Sequence, residues 1–385
     1  MNLFDDEIVD EPGMFSRSRL IVARTRRGLS QSDLAVQLRL DKTTIARYEK
    51  GERHPDIETT LAIADLLGYP YSFFFEGHLS TEELEGVSFR SRRSEIKMPT
   101  RLRTISAGHL AAGVINPAVQ NYFHLPDLDI PDYKGVQPEL AAQLLRAEWG
   151  ISQYPIKNLV HLLEAKGVRI FWFDEEDTSV DAVSFYFHSV PFVLISQRNR
   201  GGERVRMDLA HELGHLVLHR GVENKSIKEV EEEATSFASA FLVPGESFRR
   251  ENPTFPQLSH LFTAKARWQV SVQALIRRCF TLGIYTETQY RNAIRKMYDN
   301  GWRTSEPNQL EWEHSRIFEK VFTYLREQNQ TAYDFAREIH LPMDELESLL
   351  PIAKRFKQSK SNDLQRLTLE ELGYIPPDDA KIKDR

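Results

Sequence analysis

The chain has 385 residues, 41 % hydrophobic and 28 % charged, with a formal net charge of −6. That length allows two or three domains with cores of their own, and the composition excludes a disordered, collagenous or disulfide-stapled chain. With one cysteine, Cys279, there is no intrachain disulfide framework; no run of about eighteen apolar residues and no signal-peptide pattern occurs, so a cytoplasmic protein without a membrane segment is expected.

After an acidic tail (residues 1–15), the first organised stretch is residues 16–76. Ser30 and Asp33 form an S-x-x-D start signal, akin to a capping box, before a short helix with Leu34, Ala35 and Leu38 inward. A turn at Arg39-Leu40 leads to Asp41 as a second N-cap. Lys42 to Lys50 follow as a second helix, with Ile45 and Tyr48 inward and Gly51 as its stop. Two short helices joined by a tight turn fit a helix-turn-helix. From Leu29 to Gly51, and on through Thr60 to Gly68, the stretch resembles the Cro/C1-type (XRE) regulators, which implies a five-helix DNA-binding module. Between Ser16 and Pro55, ten basic residues stand against four acidic ones, a local excess of +6 in an acidic chain. A basic face on a module that binds protein is the alternative. By the resemblance, Gln31, Lys42, Thr43, Thr44 and Arg47 are the candidates to touch phosphates or bases of a double-stranded DNA operator. The bound form is expected to be a homodimer, since modules of this kind pair across near-palindromic sites.

Residues 77–137 read as a linker. Its stretch from Gly86 to Arg103 carries six basic residues and one acid, Glu95, and either adds phosphate contacts or is a plain solvated connection. Pro117, Pro126, Pro131 and Pro138 then punctuate a turn-rich passage. Helical patterns at Pro138–Trp149 and Pro155–Lys166 precede three strand candidates, Val168–Phe173, Ala182–Phe187 and Pro191–Ile195, rich in β-branched and aromatic residues. A sheet beside the next helix could offer its edge to an extended substrate.

That helix carries H-E-x-x-H at His211-Glu212-Leu213-Gly214-His215, framed by apolar residues at helical spacing. Positions four apart share a face, so His211 and His215 can present two imidazoles to one ion. Glu212, about 100° round the helix, stands beside the metal, where a carboxylate can deprotonate a bound water. This is the zinc-peptidase signature; two histidines on an ordinary amphipathic helix are the bland alternative. A hydrolytic zinc site needs a third protein ligand and a position for water. Downstream, the pattern Glu229–Leu242 has an apolar stripe of Ala234, Phe237, Ala238, Phe241 and Leu242. Taking about 100° per residue, Glu231 lies roughly 50° from the stripe centre, Glu233 roughly 110°, and Glu232 nearly opposite. Glu231 is therefore the expected third ligand, with Glu232 and Glu233 as solvated residues favouring the helix dipole. His219 competes for that place, but a third ligand on the same straight helix reaches poorly around the ion, so it reads as a helix-end or supporting histidine.

The stretch His211–Arg220, followed by Glu231-Glu232-Glu233-Ala234 and Phe237-Ala238 to Leu242-Val243-Pro244, resembles the ImmA/IrrE zinc peptidases. The resemblance implies zinc held by His211, His215 and Glu231, with Glu212 as general base. Thr235 departs from the pattern, since many members carry Asn or Asp there, and this bears on a supporting contact. Val180–Phe185, Glu203–Ala210 and Arg303–Asn308 also match stretches of long regulators that join the two modules. Both resemblances imply a bacterial source. The peptidase-like domain is expected over 138–302 and a helical module, for packing or dimerisation, over 303–385. Within that module Thr331–Leu350 looks like a fragment of a second helix-turn-helix. The fold class expected is mostly α with a small β-sheet (α+β). The functional expectation is a DNA-binding regulator carrying a zinc endopeptidase. Its protein substrate is, by resemblance, an XRE-type repressor or the chain itself. The alternative is a transcription factor whose zinc domain senses or scaffolds without turnover.

Overall fold

The computed structural model describes residues 11–80, 98–173, 180–197, 201–222, 225–252, 255–303 and 305–358. Most of the basic stretch between Gly86 and Arg103, and the first ten residues of the acidic tail, lie outside them. The described fold is mostly helical with one three-stranded sheet.

The first module comprises α1 (Arg17–Arg26), α2 (Gln31–Leu38), α3 (Lys42–Lys50) and α4 (Ile57–Leu67), closed by a 3₁₀ helix, Tyr71–Phe75. The fifth helix implied by the sequence is thus a short 3₁₀ turn, which puts Phe73 and Phe74 into the core. Ser30 and Asp33 form the expected capping box on α2. Asp41 occupies the N-cap position of α3, but its side chain makes no cap hydrogen bond. Arg39 and Gly51 close α2 and α3 in the left-handed region, at φ 56° and 74°.

Within the stretch expected as a linker, α5 (Met98–Leu110) runs through a π-helical turn (Ala111–Ile115) into α6 (Asn116–Gln120). This rod packs on α1 and shares its core, with Thr25 Oγ1 and Ser106 Oγ 2.5 Å apart. Ala107, Ala111 and Ala112 are buried along it; a spacing of prolines carries no such information.

The second module contains α7 (Pro138–Glu148), α8 (Leu159–Ala165), β1 (Arg169–Phe173), β2 (Ala182–Phe187), β3 (Val190–Ser196), α9 (Gly202–Leu218), α10 (Ile227–Leu242), α11 (Gly245–Glu251), α12 (Leu258–Trp268), α13 (Val272–Thr281) and α14 (Glu287–Asp299). Strand order is β1-β3-β2, with β3 parallel to β1 and antiparallel to β2. Because side chains alternate across a strand, the sheet serves two cores. Ile170, Trp172, Val193 and Ile195 join the core of α7–α14, whereas Phe171, Phe173, Phe192 and Leu194 join the core that includes the first module. Covering that second face are α15 (Arg316–Glu327), α16 (Ala332–Glu338), α17 (Met343–Leu349) and a 3₁₀ helix, Pro351–Phe356.

The α16–α17 pair occupies the segment that looks like a second helix-turn-helix, and it docks on the first module. Arg26 is ion-paired to the buried Glu345 at 2.8 Å, Arg27 reaches Glu345 and Asp344, and the Tyr69 hydroxyl donates to Glu345 Oε1 at 3.0 Å.

Candidate metal centre and nucleic-acid interface

Helix α9 carries the H-E-x-x-H residues and packs on β2 and β3; α10 packs along its other side. Two buried ion pairs pin α9 near its start: Glu203 with Lys265 of α12, and Arg206 with Glu313. Gly214 sets the approach of α10. A Cβ there would lie 3.1 Å from Ala234 Cα and 3.2 Å from Phe237 Cδ1, so glycine facing alanine lets the two backbones come together. Ser226 and Glu229 form a capping box that starts α10 and leaves its next turn of glutamates facing α9 or solvent.

The resulting geometry converges. His211 Nε2 and His215 Nε2 lie 3.0 Å apart, and the Glu231 carboxylate reaches them with one oxygen each, at 3.2 and 3.5 Å. Ligand atoms at zinc–nitrogen and zinc–oxygen distances of about 2.0–2.1 Å in a tetrahedron are roughly 3.3 Å apart, so this spacing fits a zinc ion. Two imidazoles and a carboxylate are also a donor set that zinc accepts. Glu212 is within reach too, in a group with the two histidines whose ligand atoms lie within 4.8 Å of one another. Its carboxylate is engaged differently. Glu212 is 2 % exposed and accepts a 2.7 Å hydrogen bond from Ser184 Oγ on β2, so it stands beside the cluster and is held from the sheet side. Of the remaining acidic residues, Glu232 points to solvent.

Behind the histidines lie contacts that differ between the two. His211 Nδ1 is 3.4 Å from the Thr235 hydroxyl. His215 Nδ1 is 3.0 Å from His219 Nδ1, and His219 Nε2 is 2.9 Å from Glu233 Oε2, which also accepts from Lys225 Nζ. Burial lowers the His219 pKa to about 4, outweighing the Glu233 hydrogen bond. Burial raises the Glu233 pKa, but hydrogen bonds from Lys225 and His219 outweigh it and hold the carboxyl below its usual range. Glu233 is therefore tied to His219 instead of standing free in solvent as the helical wheel has it. Ser184 and Lys225 are not among the expected site residues. A polar residue at an inward position of an apolar strand is the signal that could have marked Ser184.

On the first module, Lys42, Thr43 and Arg47 of α3 are exposed and Thr44 is half-buried. Gln31 is half-buried and donates to Glu49 Oε2 at 2.7 Å. The buried Glu49 also accepts from Arg24, so α1, α2 and α3 are joined through one carboxylate. Several basic residues counted in the local excess are committed inside the structure. Arg24 pairs with Glu49, Arg26 and Arg27 pair with α17, and Arg19 donates to the carbonyls of Glu76 and Gly77. Arg39, Lys42, Arg47, Lys50 and Arg53 stay exposed.

Residues 20–74 match the family model described as helix-turn-helix, and residues 163–280 match the model described as IrrE N-terminal-like domain. No curated protein matches the chain. The chain thus joins a helix-turn-helix module of the XRE type, over residues 20–74, to an IrrE/ImmA-like domain of metallopeptidase-like fold, over residues 163–280. Among the described residues no helix is long and apolar enough to cross a membrane.

Proposed function

We propose that this chain is a cytoplasmic transcriptional regulator whose IrrE/ImmA-like domain is a working zinc endopeptidase. The observation that carries the reading is the convergence of His211, His215 and Glu231 within 3.5 Å, beside a buried Glu212. His211 and His215 would hold the metal through Nε2, and Glu231 would supply the third ligand. Glu231 is preferred to Glu212 for that role because it sends an oxygen to each imidazole, while Glu212 is bonded to Ser184. Zinc held there would supply a Lewis acid and make a water molecule acidic enough to ionise near neutral pH. Glu212 takes the proton from the attacking water and returns it to the leaving amine. The Ser184 hydroxyl orients the Glu212 carboxylate for both transfers. The substrate is a protein, an XRE-type repressor or a copy of this chain.

In the same reading, residues 16–76 read a DNA operator as a homodimer, 138–302 form the peptidase and 303–385 a helical packing module. Lys42, Thr43, Thr44 and Arg47 offer exposed or half-exposed donors from α3. Gln31 keeps its second N–H and its carbonyl oxygen for DNA, since its amide spends one N–H on Glu49.

Zinc-loaded protein is incubated with XRE-type repressors from the source genome and with itself, and cleavage is followed by mass spectrometry. Wild type is expected to cut. Glu212→Gln should keep zinc and operator binding but lose about 10²–10⁴-fold in cleavage rate. Equal regulation of target genes by wild type and Glu212→Gln would instead make the zinc domain a sensor or scaffold. Lys42→Ala with Arg47→Ala should weaken operator binding and flatten its salt dependence, checked by titration at two salt concentrations.

A further inference from the structure

Lys225, Glu233, His219 and His215 form an unbroken hydrogen-bonded line that ends at the proposed metal position. The direction of every bond in it can be worked out from the outer end. Lys225 Nζ lies 2.6 and 2.7 Å from the two Glu233 oxygens and can only donate. An ionised Glu233 can only accept, so the proton in the 2.9 Å contact belongs to His219 Nε2. Neutral His219 then presents a lone pair at Nδ1. The 3.0 Å contact between His219 Nδ1 and His215 Nδ1 needs one proton, and that proton must sit on His215. With Nδ1 protonated, His215 has its lone pair on Nε2, the atom facing His211 and Glu231.

We infer that His219 and Glu233 are positioning residues, a two-member relay that fixes His215 in the tautomer and ring orientation required of a metal ligand. This rests on the reading of the cluster as a zinc centre. The elements explain the arrangement: His215 and His219 are one turn apart on one face of α9 and at its end, and Glu233 comes from α10, two residues beyond Glu231. A single helix therefore delivers one carboxylate to the metal and another to the support behind it. Among the described residues, the partner histidine, His211, has a 3.4 Å contact to Thr235 on its rear nitrogen, so the support of the two ligands is unequal.

Partners of this kind behind metal-bound histidines are worth about 10–100-fold in metal affinity. The test measures zinc affinity by chelator competition in wild type, Glu233→Ala and Glu231→Ala. It also reads the His215 tautomer in metal-free wild type and Glu233→Ala from nitrogen chemical shifts of the labelled ring. Expected are a weakening of about 10–100-fold for Glu233→Ala, a far larger loss for Glu231→Ala, and an Nδ1-protonated His215 that becomes a tautomer mixture in Glu233→Ala. Glu233→Gln, which keeps an acceptor oxygen, should retain the wild-type tautomer. Glu233 is partly exposed, so its truncation opens no core cavity, and circular dichroism checks the fold. Zinc affinity within twofold of wild type together with an unchanged His215 tautomer in Glu233→Ala would overturn the relay. A wild type that binds no zinc while its His215 tautomer still depends on Glu233 would sink the zinc reading and leave the relay standing.

Discussion

His109 shows what burial does to a titratable side chain without a charged partner. It is 2 % exposed on α5, and burial lowers its pKa to about 4, with a hydrogen bond to the Ser80 backbone opposing. In the unfolded chain it titrates near its ordinary 6.5. Between those values the unfolded state binds more protons than the folded state, so stability falls as pH drops from about 6.5 towards 4. The expected loss from this residue between pH 7 and pH 5 is about 2 kcal/mol. Urea unfolding of wild type and His109→Gln at the two pH values checks it, and the variant should show the smaller acid loss. A loss remains there, because His219 is also buried and lowered. Glu212 is buried as deeply as His109 but faces the Ser184 hydroxyl and the imidazole cluster, so its surroundings offer a polar partner and not only apolar walls.

Among the elements, the α9–α10 pair brings together the candidate metal ligands, and the closeness of the two helices rests on small residues. The Cβ that any substitution adds at Gly214 would sit against α10 backbone, which cannot turn aside as a long side chain can. Gly214→Val is expected to push α10 away and destabilise the fold by about 1–3 kcal/mol. Because Glu231 rides on α10, zinc affinity should fall as well, even at temperatures where the variant remains folded. Calorimetric titration with zinc, beside thermal unfolding, separates the two effects. A variant that lost stability but bound zinc as wild type does would show that α10 keeps its place without the close contact. The strands contribute in a comparable way. Ser184 meets Glu212 because β2 turns alternate residues towards α9, and its neighbours Val183 and Phe185 go to the opposite core.

At the scale of the whole molecule, the C-terminal helices tie the DNA-reading module to the sheet of the peptidase-like domain. On one side Glu345 is 1 % exposed and takes hydrogen bonds or ion pairs from Arg26, Arg27 and Tyr69. On the other side α17 lies against β1, and Gln197 donates to the Ser348 carbonyl at 2.5 Å. Removing one partner of a buried ion pair leaves the other charge uncompensated, which costs about 3–5 kcal/mol. Glu345→Gln is therefore expected to destabilise the chain by that order, and limited proteolysis should cut earlier between the modules. Replacing both partners, Arg26→Met with Glu345→Leu, should recover much of the stability, since no buried charge is then left alone. Thermal unfolding of the three proteins decides it; equal loss in the single and double variants would mean that packing, not the charge, holds the joint.

Much of the candidate site is legible because it depends on local period. Four residues on a helix make one turn, so His211 and His215 share a face in any helix that forms, and the stripe on α10 turns Glu231 inward and Glu232 outward. Capping residues around Ser30 and the β-branched and aromatic runs of β1 to β3 are equally local signals, and the elements occur where they point. Long-range pairing is not encoded that way. Nothing in the spacing of Arg24, Arg26 and Arg27 tells a DNA-facing arginine from one committed to Glu49 or Glu345, because a charge count carries no partner. The same holds for Glu233, which a helical wheel sends towards solvent and which His219, arriving from another helix, engages. Only the tertiary structure could decide that residues 98–120 form helices packed on α1, and that one sheet serves two cores. Those outcomes depend on which apolar faces meet, and a face bears no mark of its partner until the chain has folded around it.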